Sequence, residues 1–171
     1  MSAHRGPARD PSRWPARLPV IALAAAGLAI SVYLAAFQLG AAPGPWDPLF
    51  GPASSARVLR SALTRALPVP DAALGAAVYA AEAALELAGG GSGRWRRHPR
   101  LVLATAAVAA ALALVGAGLV VLQAAVVRSF CTLCLCSAAL SISAGLAVAA
   151  GGEPSAAART LGWAAQVPRR R

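Results

Sequence analysis

The sequence predicts an all-α integral membrane protein, a four-helix bundle with an additional short interfacial helix in its outer loop. Three observations carry that prediction. Apolar residues fill 58% of the 171 positions and charged residues only 13%, whereas soluble domains are roughly 45–50% apolar. Four stretches come near or exceed the ~20 apolar residues that a membrane-crossing helix needs. The formal charge of +10 is gathered in blocks between those stretches, as cations flanking membrane spans are. Arg5, Arg9, Arg13 and Arg17 form the first block, Arg94, Arg96, Arg97 and Arg100 the second, and Arg169, Arg170 and Arg171 the third. Long neutral runs separate them, which argues against a nucleic-acid groove.

The first span is expected over 18–42. Its apolar run exceeds the ~7–15 residues of a secretory signal core, and three more spans follow, so it reads as a retained anchor. The second, 72–88, has the weakest signal because Glu82 and Glu86 interrupt it. The third, 101–127, contains no charge at all, and the fourth covers 132–150. Residues 1–17 then form a basic N-terminal segment, 18–150 the membrane domain, and 151–171 a C-terminal tail. The positive-inside rule puts both termini and the 94–100 loop in the cytoplasm. The 43–71 loop and the turn at 128–130 face outward, in a multi-pass protein of a bacterial inner membrane.

Arg57, Arg60 and Arg65 are out of place in an outward loop unless residues 54–67 are helical. At 100° per residue, Ser54, Arg57, Arg60, Ser61, Thr64 and Arg65 share one face, while Val58, Leu59, Ala62, Leu63, Ala66 and Leu67 share the other. That segregation suits a helix lying in the interface. Ser54 can cap its start and Asp71 the start of the second span. The helix is either a lid on the bundle or a simple tether.

All three cysteines fall in "RSFCTLCLCSA", residues 128–138. Cys131 and Cys134 stand one helical turn apart at the outer end of the fourth helix, within reach of a disulfide. The helix N-terminus favours thiolate at Cys131, and Arg128 adds positive field. Cys136 is turned away and reads as a packing residue. Three readings of the cluster stay open. Cysteine is a common buried hydrophobe. Thiolates bind soft metals, although one CxxCxC lacks a full tetrahedral set and His4 and His98 lie across the membrane. Or the pair is a redox-active dithiol whose electron partner lives in the lipid, as a quinone does.

"ISVYLAAFQLG" (30–40), "SARVLRSALTRALPVPDAALGAAVYA" (55–80) and "FCTLCLCSA" (130–138), taken in order, resemble the vitamin K epoxide reductase family. That resemblance implies a four-helix membrane bundle with a catalytic CxxC opening its last helix. It implies that Cys131 exchanges disulfides with a protein donor and that Cys134 faces the quinone, of ubiquinone or menaquinone type, as co-substrate. The implied partners are membrane lipid and an exported thioredoxin-like protein, with no metal and no nucleic acid. One departure stands out: the family commonly has a cysteine pair in the outer loop, and this loop has none. Ser55 occupies the expected position of one of them and falls on the apolar side of the wheel. A non-catalytic membrane scaffold descended from the family is therefore the alternative.

Gln38, near the outer end of the first span, is a candidate for binding a quinone carbonyl, and Trp46, Phe50 and Phe130 for walling its ring. The same aromatics suit the interface belt. Glu82, a lone carboxylate near mid-span, is a candidate proton relay or a protonated, helix-paired residue. Glu86 can reach the 94–100 cluster. Thr105, Gly116 and Gly118 read as helix-packing positions.

Overall fold

The computed structural model describes residues 10–61 and 68–166, with side chains to residue 162. All regular structure among the described residues is helical. In chain order, α1 is Trp14–Gln38, α2 Pro52–Leu59, α3 Asp71–Leu87, α4 Arg94–Arg97, α5 Pro99–Leu122, α6 Thr132–Ala150 and α7 Glu153–Gln166; a π turn, Gln123–Val127, continues α5. Among the described residues, three helices are long and apolar enough to cross a membrane: α1, α5 with its π turn (Pro99–Val127), and α6. At 17 residues, α3 is shorter than these and carries Glu82 and Glu86.

The long helices pack through small residues, as apolar helices must when lipid gives no hydrophobic drive to associate. α1 lies along α3 and α6, and α5 lies along α6. Gly27 of α1 sits directly against the Tyr79 ring, where any Cβ would collide. A Cβ on Gly145 of α6 would come within 2.9 Å of Ala113 and 3.2 Å of the Ala109 carbonyl on α5. Gly116 makes a similar approach to Ala138, whereas Gly118, expected at a packing position, has nothing within 4 Å.

Several expected boundaries move. α1 begins at Trp14, four residues before the expected span, because Pro15 tolerates the first turn where its missing N–H is no loss. The outer-loop helix begins at Pro52 with Gly51 before it, so Ser54 is inside the helix instead of capping it. It ends at Leu59, and residues 62–67 of the expected 54–67 helix lie outside the described residues. Val58 and Leu59 are buried, and Leu59 packs with Leu34 and Phe37 of α1. Asp71 is the first residue of α3 but makes no cap; it accepts from the Gln38 amide instead. The C-terminal tail contains α7, which packs against α4 and α5.

α7 is held at the far end of the bundle from the cysteines. Arg94 and Arg17 are buried between carboxylates there. Arg94 Nη1 lies 3.2 Å from Glu153 and 3.7 Å from Glu86, and Arg17 Nε donates to Glu86 at 2.9 Å. Ser12 Oγ donates to Glu153 at 2.7 Å, and Asp10 accepts from the Gly93 amide at 2.7 Å. Thr105, expected to pack, accepts from Arg94 Nη2 at 2.9 Å.

Candidate functional site

The chain reverses between α5 and α6 in a strained turn. After the π turn, Arg128 takes a left-handed conformation at φ 50°, which costs a non-glycine residue about 1 kcal/mol or more. Such π turns recur at functional sites. This one points Gln123 inward, where its Oε1 accepts from the Cys131 amide at 2.9 Å. Cys131 is thereby set as the N-cap of α6, and its Sγ accepts from the Cys134 amide at 3.2 Å. Sulfur here does what a serine or aspartate oxygen does at most helix starts.

Both thiols of the CxxC are free, as is that of Cys136. Cys131 is wholly buried, Cys134 partly, and Cys136 is exposed on another side of the helix. Cys131 lies just before the membrane-crossing helix. Its thiol is pulled from 9.0 down to about 7, first by a hydrogen bond with the Cys134 side chain. Burial opposes this, while the Ser55 hydroxyl and the Cys134 amide reinforce it. Arg128, expected to supply the positive field, is exposed on the turn, and the leading influences are hydrogen bonds.

A carboxylate that the sequence reading passed over organises this end. Asp47 is buried in the loop between α1 and α2. Its Oδ2 accepts from Ser55 Oγ at 2.6 Å and from the Thr132 amide at 3.1 Å. Its Oδ1 accepts from the Phe50 amide at 2.8 Å, the Leu49 amide at 3.1 Å and Thr132 Oγ1. Burial alone would raise its pKa, but bonds from the Ser55 and Thr132 hydroxyls and from the Phe50 and Thr132 amides hold the carboxyl well below its usual range. One side chain thus joins the loop, α2 and the start of α6. Ser54 adds a second tie: its Oγ donates to the Phe130 carbonyl at 2.7 Å and lies 3.2 Å from the Phe130 amide. Ser55, on the expected inward face, is almost fully buried beside Cys131.

Cys134 faces a different space. A cavity of about 100 Å³ lies among α1, α3, α5 and α6, with Cys134, Tyr79, Ser137 and Ser141 on its surface and Leu34, Leu59 and Leu112 among its apolar walls. The Tyr79 hydroxyl bonds the Ser137 carbonyl at 2.8 Å and reaches the Ser141 hydroxyl. None of the four residues expected to bind a quinone lines this space. Gln38 is engaged: its amide donates to the Leu59 carbonyl at 3.1 Å and to Asp71, and its oxygen accepts from the Ala72 amide. Trp46 and Phe50 are exposed, and Phe50 meets Phe130 ring to ring at 5.3 Å. Glu82 lies deeper, wholly buried. Among the described residues, no three His, Cys, Asp or Glu side chains gather as metal ligands would.

Cys131, Ser55 and Asp47 thus meet under the loop between α1 and α2, and Cys134 joins them to the cavity. Tyr79 and the two serines went unnoticed in the sequence. The signal was their spacing, since Ser137 and Ser141 lie four apart on α6, the helix that Cys134 opens. Residues 18–149 match the model of the Vitamin K epoxide reductase family. No curated protein matches the chain.

Proposed function

The chain belongs to the vitamin K epoxide reductase family of membrane oxidoreductases, and from that premise we propose that it is a quinone-linked thiol/disulfide oxidoreductase. Cys131 exchanges disulfides with an exported, thioredoxin-like protein, and Cys134 passes the electrons to a quinone of ubiquinone or menaquinone type. The observation that carries the reading is the two-sided placement of one CxxC: Cys131 lies under the loop, and Cys134 lies on the wall of a cavity between apolar helices.

A donor thiolate attacks Cys131 Sγ of the oxidised pair, and Cys134 leaves as thiolate. The donor's second thiol then resolves the mixed disulfide and carries the new bond away. In the return half, Cys134 delivers its electron pair to the quinone while Cys131 thiolate attacks Cys134 Sγ. The Cys131–Cys134 disulfide re-forms and hydroquinone leaves. The lowered pKa of Cys131 suits it near neutral pH both as the thiolate that leaves when the donor resolves the mixed disulfide and as the thiolate that attacks Cys134 in the return half. The cavity is smaller than the ~150 Å³ that accommodates benzene in an apolar core, so the walls must part for a quinone ring. In this reading α3 is the fourth span, α2 a lid over the outer mouth, and both termini are cytoplasmic in a bacterial inner membrane. Trp46, Phe50 and Phe130 then belong to the mouth, and Gln38 holds Asp71 beside the cavity.

A second reading, a non-catalytic scaffold, is favoured by one observation: Cys131 is fully covered by a loop that contains no thiol of its own. A maleimide shift assay on membranes separates the two. For an enzyme, Cys131 and Cys134 bridge when the quinone pool is oxidised and reopen when it is reduced, while Cys136 stays free. Cys134→Ser then traps Cys131 in a mixed disulfide with a soluble partner, and Cys131→Ser traps none. Three thiols that stay reduced whatever the quinone pool does select the scaffold. Reporter fusions after Gly93 and after Gly44 report opposite sides for four spans and the same side if α3 does not cross.

A further inference from the structure

Quinone reduction takes up protons as well as electrons, and the inner half of the bundle bears on where those protons enter. Glu82 of α3 has no exposed surface, and neither of its carboxyl oxygens has a hydrogen-bond partner among the described residues. Burying a polar group without a partner is costly, and a leucine at this position would avoid that cost. Its neighbours along the helix are informative. Tyr79 stands three residues before it and Glu86 four residues after, so the three share one face of α3, and all are buried.

Tyr79 leads outward, because its hydroxyl bonds Ser137 and Ser141 on the wall of the Cys134 cavity. Glu86 leads inward, to the ion cluster with Arg17, Arg94 and Glu153. A second cavity of about 20 Å³ touches Arg17, Glu86, Thr105 and Glu153, room for one water molecule. Glu153 follows the end of α6, whereas Cys131 precedes its start. The length of α6 therefore puts the cluster on the order of 30 Å from Cys131. Glu82 is the one carboxyl on α3 between the cluster and the cavity.

We propose that Glu82 relays protons from the inner ion cluster to the Cys134 cavity, so that quinone reduction draws its protons from the side opposite the dithiol. The inference rests on the quinone-linked reading above. As the Cys131–Cys134 bond forms, the two thiols give up an electron pair to the quinone and release their two protons at the outer face. The hydroquinone takes its two protons through Glu82 from the inner face. Each turnover is then equivalent to moving two protons outward.

The test uses the full chain in sealed vesicles with a pH dye in the lumen and a short-chain ubiquinone in the bilayer. An impermeant reduced dithiol peptide outside addresses only molecules with Cys131 outward. Quinone absorbance and luminal pH are followed together. The parent is expected to remove about two luminal protons per quinone reduced, the count of a two-electron couple. Glu82→Gln, of the same shape, is expected to lower luminal uptake by roughly tenfold or more, with Glu82→Asp restoring part of it. Tyr79→Phe interrupts the outer end without removing the ring that packs on Gly27, and lowers uptake likewise. If Glu82→Gln changes the rate but leaves two luminal protons per quinone, Glu82 is structural and the proposal falls. It also falls if the parent reduces quinone with no change in luminal pH. A parent that reduces no quinone at all removes the reading beneath it.

Discussion

The two ends of the bundle are both fastened by buried carboxylates, but with opposite chemistry. At the α7 end, Glu86 and Glu153 are matched by Arg17 and Arg94. At the Cys131 end, Asp47 has no cation against it among the described residues and is satisfied by hydroxyl and amide donors from the loop, α2 and α6. Ion pairs withdrawn from water are costly to break one partner at a time. A carboxylate held by neutral donors can be released piecemeal, each donor turning to water. The α7 end is thus a foot of ion pairs, and the Cys131 end a latch of neutral donors.

Removing the cation from the foot is expected to have the largest effect. Arg94→Ala leaves Glu86 and Glu153 buried with one cation fewer and should cost about 3–5 kcal/mol, read as a fall in thermal stability in detergent and loss of α7 from the protease-resistant core. If stability is unchanged, the two ends do not differ in this way. At the latch, Asp47→Asn replaces one accepting oxygen by a donor facing Ser55 or Thr132. A cost of about 2–3 kcal/mol is expected, from charged hydrogen bonds at ~1.5–3 kcal/mol each. Its signature is local: alkylation of Cys131 accelerates while the bundle stays folded. Ser55→Cys should close the latch covalently. A thiol at that position meets Cys131, and a disulfide between them should appear on non-reducing gels at the expense of the Cys131–Cys134 bridge.

Smaller effects follow from titration. The Cys131 thiol lowered to about 7 predicts that its slow alkylation in the parent rises with a midpoint near pH 7. A depressed folded pKa means stability present above the unfolded value and lost as pH falls through the folded one. The dithiol form should therefore gain stability between about pH 7 and pH 9. Cys136→Ser, on the exposed side of α6, should change stability by no more than about 0.5 kcal/mol.

Much of the frame was legible in the chain because local periodicity and composition carry it. α6 occupies the expected 132–150, since Cys131 in extended geometry starts it and Gly151 follows its end. Cys136 turns away from the CxxC face and Ser55 turns inward, as helical spacing requires. The site's connections were less legible. Asp47 sits in "PGPWDPLFG", a proline-rich loop with no period to read, and its bond to Thr132 spans 85 residues. Ser54 lies on the arginine face of the helical wheel, yet is buried against Phe130 because the turn before α6 folds over that edge. Arg17 and Arg94 look like flanking, water-facing cations until α1, α4 and α7 close around them.

The sequence by itself determined which long segments are apolar helices, where the dithiol opens a helix, and which family the chain resembles, because all of these depend on residues near in the chain. Only the tertiary structure decided that Asp47 ties the loop and α2 to the start of α6, that Cys134 faces the cavity with Tyr79, and that Gln38 is tied to Asp71. A hydrogen bond acts over about 3 Å, and no local pattern reports which distant donor the fold will bring within that reach.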